Sequence, residues 1–70
     1  MRTVEIHKEP VELYKILKFE GMVASGGEAK LVISEGYVLV NGEVETRKRK
    51  KIISGDIIEF GKEKICIQLA

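Results

Sequence analysis

Five consecutive basic residues, Arg47, Lys48, Arg49, Lys50 and Lys51, sit in the stretch VETRKRKK with no carboxylate or apolar side chain among them. Cations at this density neutralise phosphates and release the counterions condensed on a nucleic acid. A guanidinium can fork onto one phosphate or stack on a base. Arg47 and Arg49 are therefore the candidates for directed contacts, with Lys48, Lys50 and Lys51 supplying field. The plainer reading is a solvated loop, or charge that discourages edge-to-edge strand pairing. The rest of the chain argues against that. It has 12 Lys and Arg against 11 Asp and Glu, a net charge of +1; without the block, seven basic residues face eleven acidic ones, or −4. Five like charges on an acidic body repel one another unless acids lie nearby, and phosphates relieve that repulsion.

A second candidate is Ser25-Gly26-Gly27. Ser25 and Glu28 have the S-x-x-E spacing of a capping box, which by itself accounts for both residues. The two glycines weaken the first turn without improving the cap. At a helix N-terminus they also leave room for a phosphate to approach free N–H groups. Lys30, one turn later, and Lys18, on the preceding helix, lie off the apolar arcs and could extend a positive patch. Tyr37 and Phe19 could stack on bases, but with two Tyr and two Phe in the chain they are assigned to the core. His7 and Cys66 are too few to hold a metal. Cys66, inside an apolar alternation, is expected to be a small buried hydrophobe. Asp56 is a turn residue. No nucleophile, base and orienting group fall together, so neither catalysis nor a cofactor is expected.

Seventy residues, 44% hydrophobic and 33% charged, make one small domain over residues 1–70 with a single core. No apolar run approaches a membrane span, and MRTVEIHKEP lacks the apolar segment of a signal peptide. One cysteine suits a reducing, cytoplasmic setting.

These side chains must be positioned by short elements. TVEI alternates and reads as a strand. Pro10 suits a first helical position, and Leu13, Tyr14, Ile16 and Leu17 share one arc of a helix over Val11–Glu20 that stops at Gly21. Ser25 starts a second helix with Ala29, Val32 and Ile33 inward, closed by Gly36. The two should pack as a helical hairpin. After Gly36 the period becomes two. YVLV and EVET flank Asn41-Gly42, a pair that tolerates positive φ at both turn positions. KII, the turn SGD, the strand IIEF, a turn at Gly61-Lys62 and the strand KICIQL follow. Thr3–Ile6 is expected to pair along Ile65–Leu69. The fold class is α+β: a two-helix hairpin packed on a small, mostly antiparallel β-sheet.

From about Leu13 to Phe60 the pattern resembles the alpha-L RNA-binding domain of the ribosomal protein S-four type. The likeness is closest to a bacterial subgroup of small stand-alone domains, the YbcJ-like proteins. It rests on LKFEG, SGGEAK, EGYVLVNG, VETRKRKKI and I-x-S-G-D-x-I-x-F. The VNG and GD pieces are ordinary turn chemistry; their order around two short helices, with ETRKR, is the specific part. The resemblance implies an alpha-L core over about residues 11–60. It also implies a function: binding structured RNA through the helical hairpin and the adjacent loop. The wider family commonly has Arg directly after the helix-starting Ser. Gly26 stands there, which leaves Lys30 as the nearest substitute.

The expectation is a monomeric, non-catalytic module for structured RNA, ribosomal or transfer RNA first. Its contacts are Arg47, Lys48, Arg49, Lys50, Lys51, Lys30, Ser25, Gly26 and Lys18. The competing reading is an adaptor whose basic block meets an acidic protein, such as a ribosome-associated factor. VLVNGEVE would also suit a small sulfur carrier, but that chemistry needs a C-terminal Gly-Gly and the chain closes on IQLA.

Overall fold

The alternating RTVEI and EKICIQL segments bury Val4 and Ile6, and Ile65 and Ile67, and lie side by side in the structure, a computed structural model describing residues 1–70. Strand β1 (Arg2–Ile6) pairs in parallel with β7 (Glu63–Leu69), setting Val4 opposite Ile67. Strand β6 (Ile57–Phe60) runs antiparallel to β7 and to β3 (Val38–Val40), and β4 (Glu43–Val44) closes the edge, giving the order β1-β7-β6-β3-β4. Asn41 and Gly42 have φ of 54° and 85°, the two positive values that a tight hairpin between β3 and β4 requires. Asn41 also ties this turn to the next: its side chain donates to Asp56 (3.0 Å) and accepts from the Ile57 N–H (2.9 Å).

Helices α1 (Leu13–Phe19) and α2 (Gly26–Ser34) cover one face of this sheet. Leu13, Ile16, Leu17, Ala29 and Ile33 meet Val4, Ile6, Val38, Val40, Ile58, Ile65 and Ile67 in one core with no polar or aromatic member. Both helices end in the same way. The N–H groups of Gly21 and Met22 bond the carbonyls of Lys18 and Leu17, and those of Gly36 and Tyr37 bond Ile33 and Val32. This C-terminal motif needs a left-handed residue, supplied by Gly21 (φ 69°) and Gly36 (φ 85°).

The first helix differs from its expected span. Val11 and Glu12 form a two-residue strand, β2, paired with β5 (Lys51–Ile52), so the helix begins at Leu13 and Pro10 precedes a strand. Ladder bonds to a segment forty residues away outweigh the local helical signal. The two aromatics assigned to the core are outside it. Tyr37 is 64% exposed because Val38 and Val40 take the inward positions of β3. Phe19 is 69% exposed because it falls at the edge of the Leu13-Ile16-Leu17 stripe. Cys66 alternates with buried Ile65 and Ile67, so it lies on the other face of β7 and is only half-buried. No helix is long and apolar enough to cross a membrane.

Candidate functional site

The first N–H groups of a helix have no partner within it. In α1 those of Leu13 and Tyr14 are taken by the basic loop, bonding the carbonyls of Lys50 (2.9 Å) and Lys48 (3.1 Å). The β2–β5 pairing adds Glu12 opposite Lys51 and Val11 opposite Ile52, whose side chain is fully buried. At its other end the loop is held by the Glu45 N–H on the Val38 carbonyl (2.9 Å). The basic segment is therefore fastened at its root, its middle and its exit, although Arg47, Lys48, Arg49 and Lys51 are exposed and only Lys50 is half-buried.

The two arginines have carboxylate partners. The Arg47 backbone N–H, Nε and Nη2 donate to Glu45 at 3.0, 2.9 and 3.1 Å. Glu45 is largely covered, with 13% of its side chain exposed against 70% for Arg47. The hydrogen bonds from the Arg47 side chain hold the Glu45 carboxyl below its ordinary 4.5, with desolvation pulling the other way; Glu45 in turn raises Arg47. Arg49 Nη1 lies 3.8 Å and Lys15 Nζ 3.4 Å from the Glu12 carboxylate. Lys48, Lys50 and Lys51 make no ion pair. Arg47, Arg49, Lys50 and Lys51 alone line an open concavity of about 400 Å³.

Tyr14 joins this loop to the helices. Its ring centroid lies 4.8 Å from Lys30 Nζ on α2, 5.6 Å from Arg49 Cζ on the loop and 6.0 Å from Lys15 Nζ. One helical turn further along α1, Lys18 Cδ stands 3.8 Å from where a Cβ on Gly26 would be. Lys18 and Gly26 thus meet across the hairpin, as Tyr14 and Lys30 do. Ser25 caps α2 by accepting from the Glu28 N–H (3.1 Å), while Glu28 accepts from the Ala24 N–H (2.7 Å), one residue before the expected position. Lys30 is joined to the arginine-lysine loop through Tyr14, whereas Lys18 reaches Gly26 and the Phe19 ring (6.0 Å) instead. Ser25 is engaged in its cap.

Sequence reasoning missed Tyr14, Glu45 and Glu12. Tyr14 stood on the apolar arc of α1, and its three cationic neighbours come from positions 15, 30 and 49. Glu45, two residues before Arg47, was legible as a neighbour on the same face of an extended chain. Glu12 was not, because only the β2–β5 pairing brings it near Arg49. A larger groove of about 740 Å³, with Val4, Ile6, Pro10, Val11, Ile16 and Phe19 as its apolar lining, lies between β1 and α1. It shares Glu12, Lys15 and Lys51 with the basic side, but its lysines (Lys8, Lys15 and Lys51) are matched by Glu5, Glu12 and Glu20.

Residues 4–68 match the S4 domain family. The YbcJ protein of Escherichia coli (strain K12) is 51% identical over 61 residues, covering 86% of this chain and 87% of that protein. The Bacillus subtilis (strain 168) protein named "Probable ribosome maturation protein RlbA" is 39% identical over 57 residues, 81% of this chain and 80% of that one. The solution structure of E. coli YbcJ, which reveals an alpha-L motif involved in RNA binding, superposes with a TM-score of 0.73 at 45% identity, covering 94% of this chain and 85% of that chain.

Proposed function

This chain belongs to the S4 domain family, and from that premise we propose that it is a non-catalytic module that docks on structured RNA, ribosomal or transfer RNA first. It acts as a monomer in the cytoplasm. The observation that carries the reading is the fastening of the basic loop. Backbone bonds from Leu13 and Tyr14 to Lys50 and Lys48 fix the loop beside the helical hairpin. Lys48, Lys50 and Lys51 therefore stand on a preformed surface; these three, Lys30 and Lys18 make no ion pair, although Lys50 lies in the field of Glu45. A surface ordered before binding loses less entropy when it binds. Phosphates are the ligand that this row of unpaired cations fits. Arg47 reaches RNA only by sharing or leaving Glu45, whereas the contact of Arg49 with Glu12, at 3.8 Å, leaves its charge available. Gly26 lets the backbone at the start of α2 approach a phosphate, with Ser25 holding that turn in shape.

The experiment is crosslinking of the protein to RNA in cells, followed by sequencing of what is attached. Enrichment of ribosomal or transfer RNA fragments over an uncrosslinked control is the expected result. Recovery of no RNA above that control overturns the reading. A second reading, an adaptor that presents the basic loop to a ribosome-associated protein, draws on the ribosome maturation name of the B. subtilis relative. Partners that co-purify with the chain and persist after RNase treatment would favour it.

A further inference from the structure

The basic side of the molecule is assembled from two elements that are distant in sequence, and one side chain touches both. Tyr14 donates its backbone N–H to the Lys48 carbonyl, and its ring lies 5.6 Å from the Arg49 guanidinium and 4.8 Å from the Lys30 ammonium. We infer that Tyr14 is a positioning residue for RNA binding, its ring gathering Lys30 of α2 and Arg49 of the basic loop into one phosphate-binding pair. This rests on the RNA-binding reading given above.

Two cations brought around one point repel each other, and long side chains lose rotamer freedom when they are held. The negative face of an aromatic ring offsets both costs without consuming positive charge. A carboxylate would hold the cations more tightly, but it would neutralise what the phosphate needs. Glu45 does this to Arg47, with three hydrogen bonds onto one carboxylate. Around Tyr14 both charges stay available, because Lys30 has no carboxylate partner and Arg49 only a loose one at 3.8 Å. The ring is itself held by the core, against which Tyr14 is packed half-buried. Tyr14 thereby sets Lys30 in register with the loop.

The test measures binding of a fluorescein-labelled RNA stem–loop by fluorescence anisotropy, with each variant's fold checked by circular dichroism. Y14F keeps the ring and should bind within about twofold of the parent. Y14L keeps apolar bulk without the ring face and should bind roughly three- to tenfold more weakly. K30M should weaken the parent but add little in the Y14L background, since the two changes break one arrangement. Should Y14L fail to fold, phenylalanines of increasing fluorination at position 14 retain shape while draining charge from the ring face. Affinity should then fall step by step with each fluorine. Parent-like binding by Y14L or by the fluorinated series, or an equal K30M effect in both backgrounds, overturns the role of Tyr14. A chain with K48E, K50E and K51E separates the two claims. If it loses binding while Y14L does not, only the Tyr14 inference falls; if it binds like the parent, the RNA-binding reading falls.

Discussion

At the level of single residues, Glu45 and Gly26 each make a measurable claim. Glu45 has its carboxyl held down by the Arg47 side-chain hydrogen bonds. A carboxyl with a folded-state pKa below its unfolded value adds stability above pH 4.5 and loses it as pH falls through the lower folded value. We predict that R47A moves the Glu45 carboxylate midpoint up toward 4.5 in an NMR titration; an unmoved midpoint would show that the clasp is absent in solution. Gly26 has no positive φ, and a Cβ there meets only the flexible Lys18 chain at 3.8 Å. G26A should therefore stabilise the free protein by up to about 1 kcal/mol in chemical denaturation. If the glycine is there to admit a phosphate, the same change weakens RNA binding. Residue types were legible in the sequence, and the basic run needed no structure to be found. Arginine pairing was not, since Arg49 meets Glu12 across 37 positions of chain.

Among the elements, the hairpin at Asn41-Gly42, both helix stops and the two edge strands were readable, because turn chemistry and two-residue alternation are local; the pairing of Thr3–Ile6 with Ile65–Leu69 was expected, but not its parallel direction. The start of α1 was not. Val11 and Glu12 have a helical environment in sequence but a strand partner in space, and Ile52 gains full burial from that pairing. Phe19 and Tyr37 went to the core on scarcity, an argument that ignores where they fall in their elements: Tyr37 just outside β3, Phe19 at the margin of the apolar stripe. The β2–β5 ribbon and the two bonds from α1 to the loop make a measurable claim. Helix-leading amides usually exchange fast because they lack partners. Those of Leu13 and Tyr14 should exchange as slowly as amides of the central strands in native-state hydrogen exchange. Loop-like rates there would mean that the basic segment is not held.

For the whole molecule, what matters is how charge is arranged on so small a body. A net charge of +1 conceals an acidic remainder and one basic side. The core, made only of aliphatic side chains, leaves every charged residue at the surface. Five lysines outside any ion pair, Lys18, Lys30, Lys48, Lys50 and Lys51, should make binding strongly salt-dependent, with a log–log slope of roughly 3.5 to 4.5 in magnitude if all five engage phosphates, from single-strand-like to duplex-like RNA. A slope near 1 would confine the contact to one or two of them. The basic side was legible from composition by subtraction. Its continuity with the helical hairpin was not, because that depends on Tyr14 and on the loop carbonyls. The most direct measurement is an anisotropy titration of a structured RNA with the parent chain and with K48E/K50E/K51E, at one salt concentration and with matched circular dichroism. A loss of affinity of roughly tenfold or more is expected in the reversed chain; equal affinity for the two chains would contradict RNA binding by the basic loop.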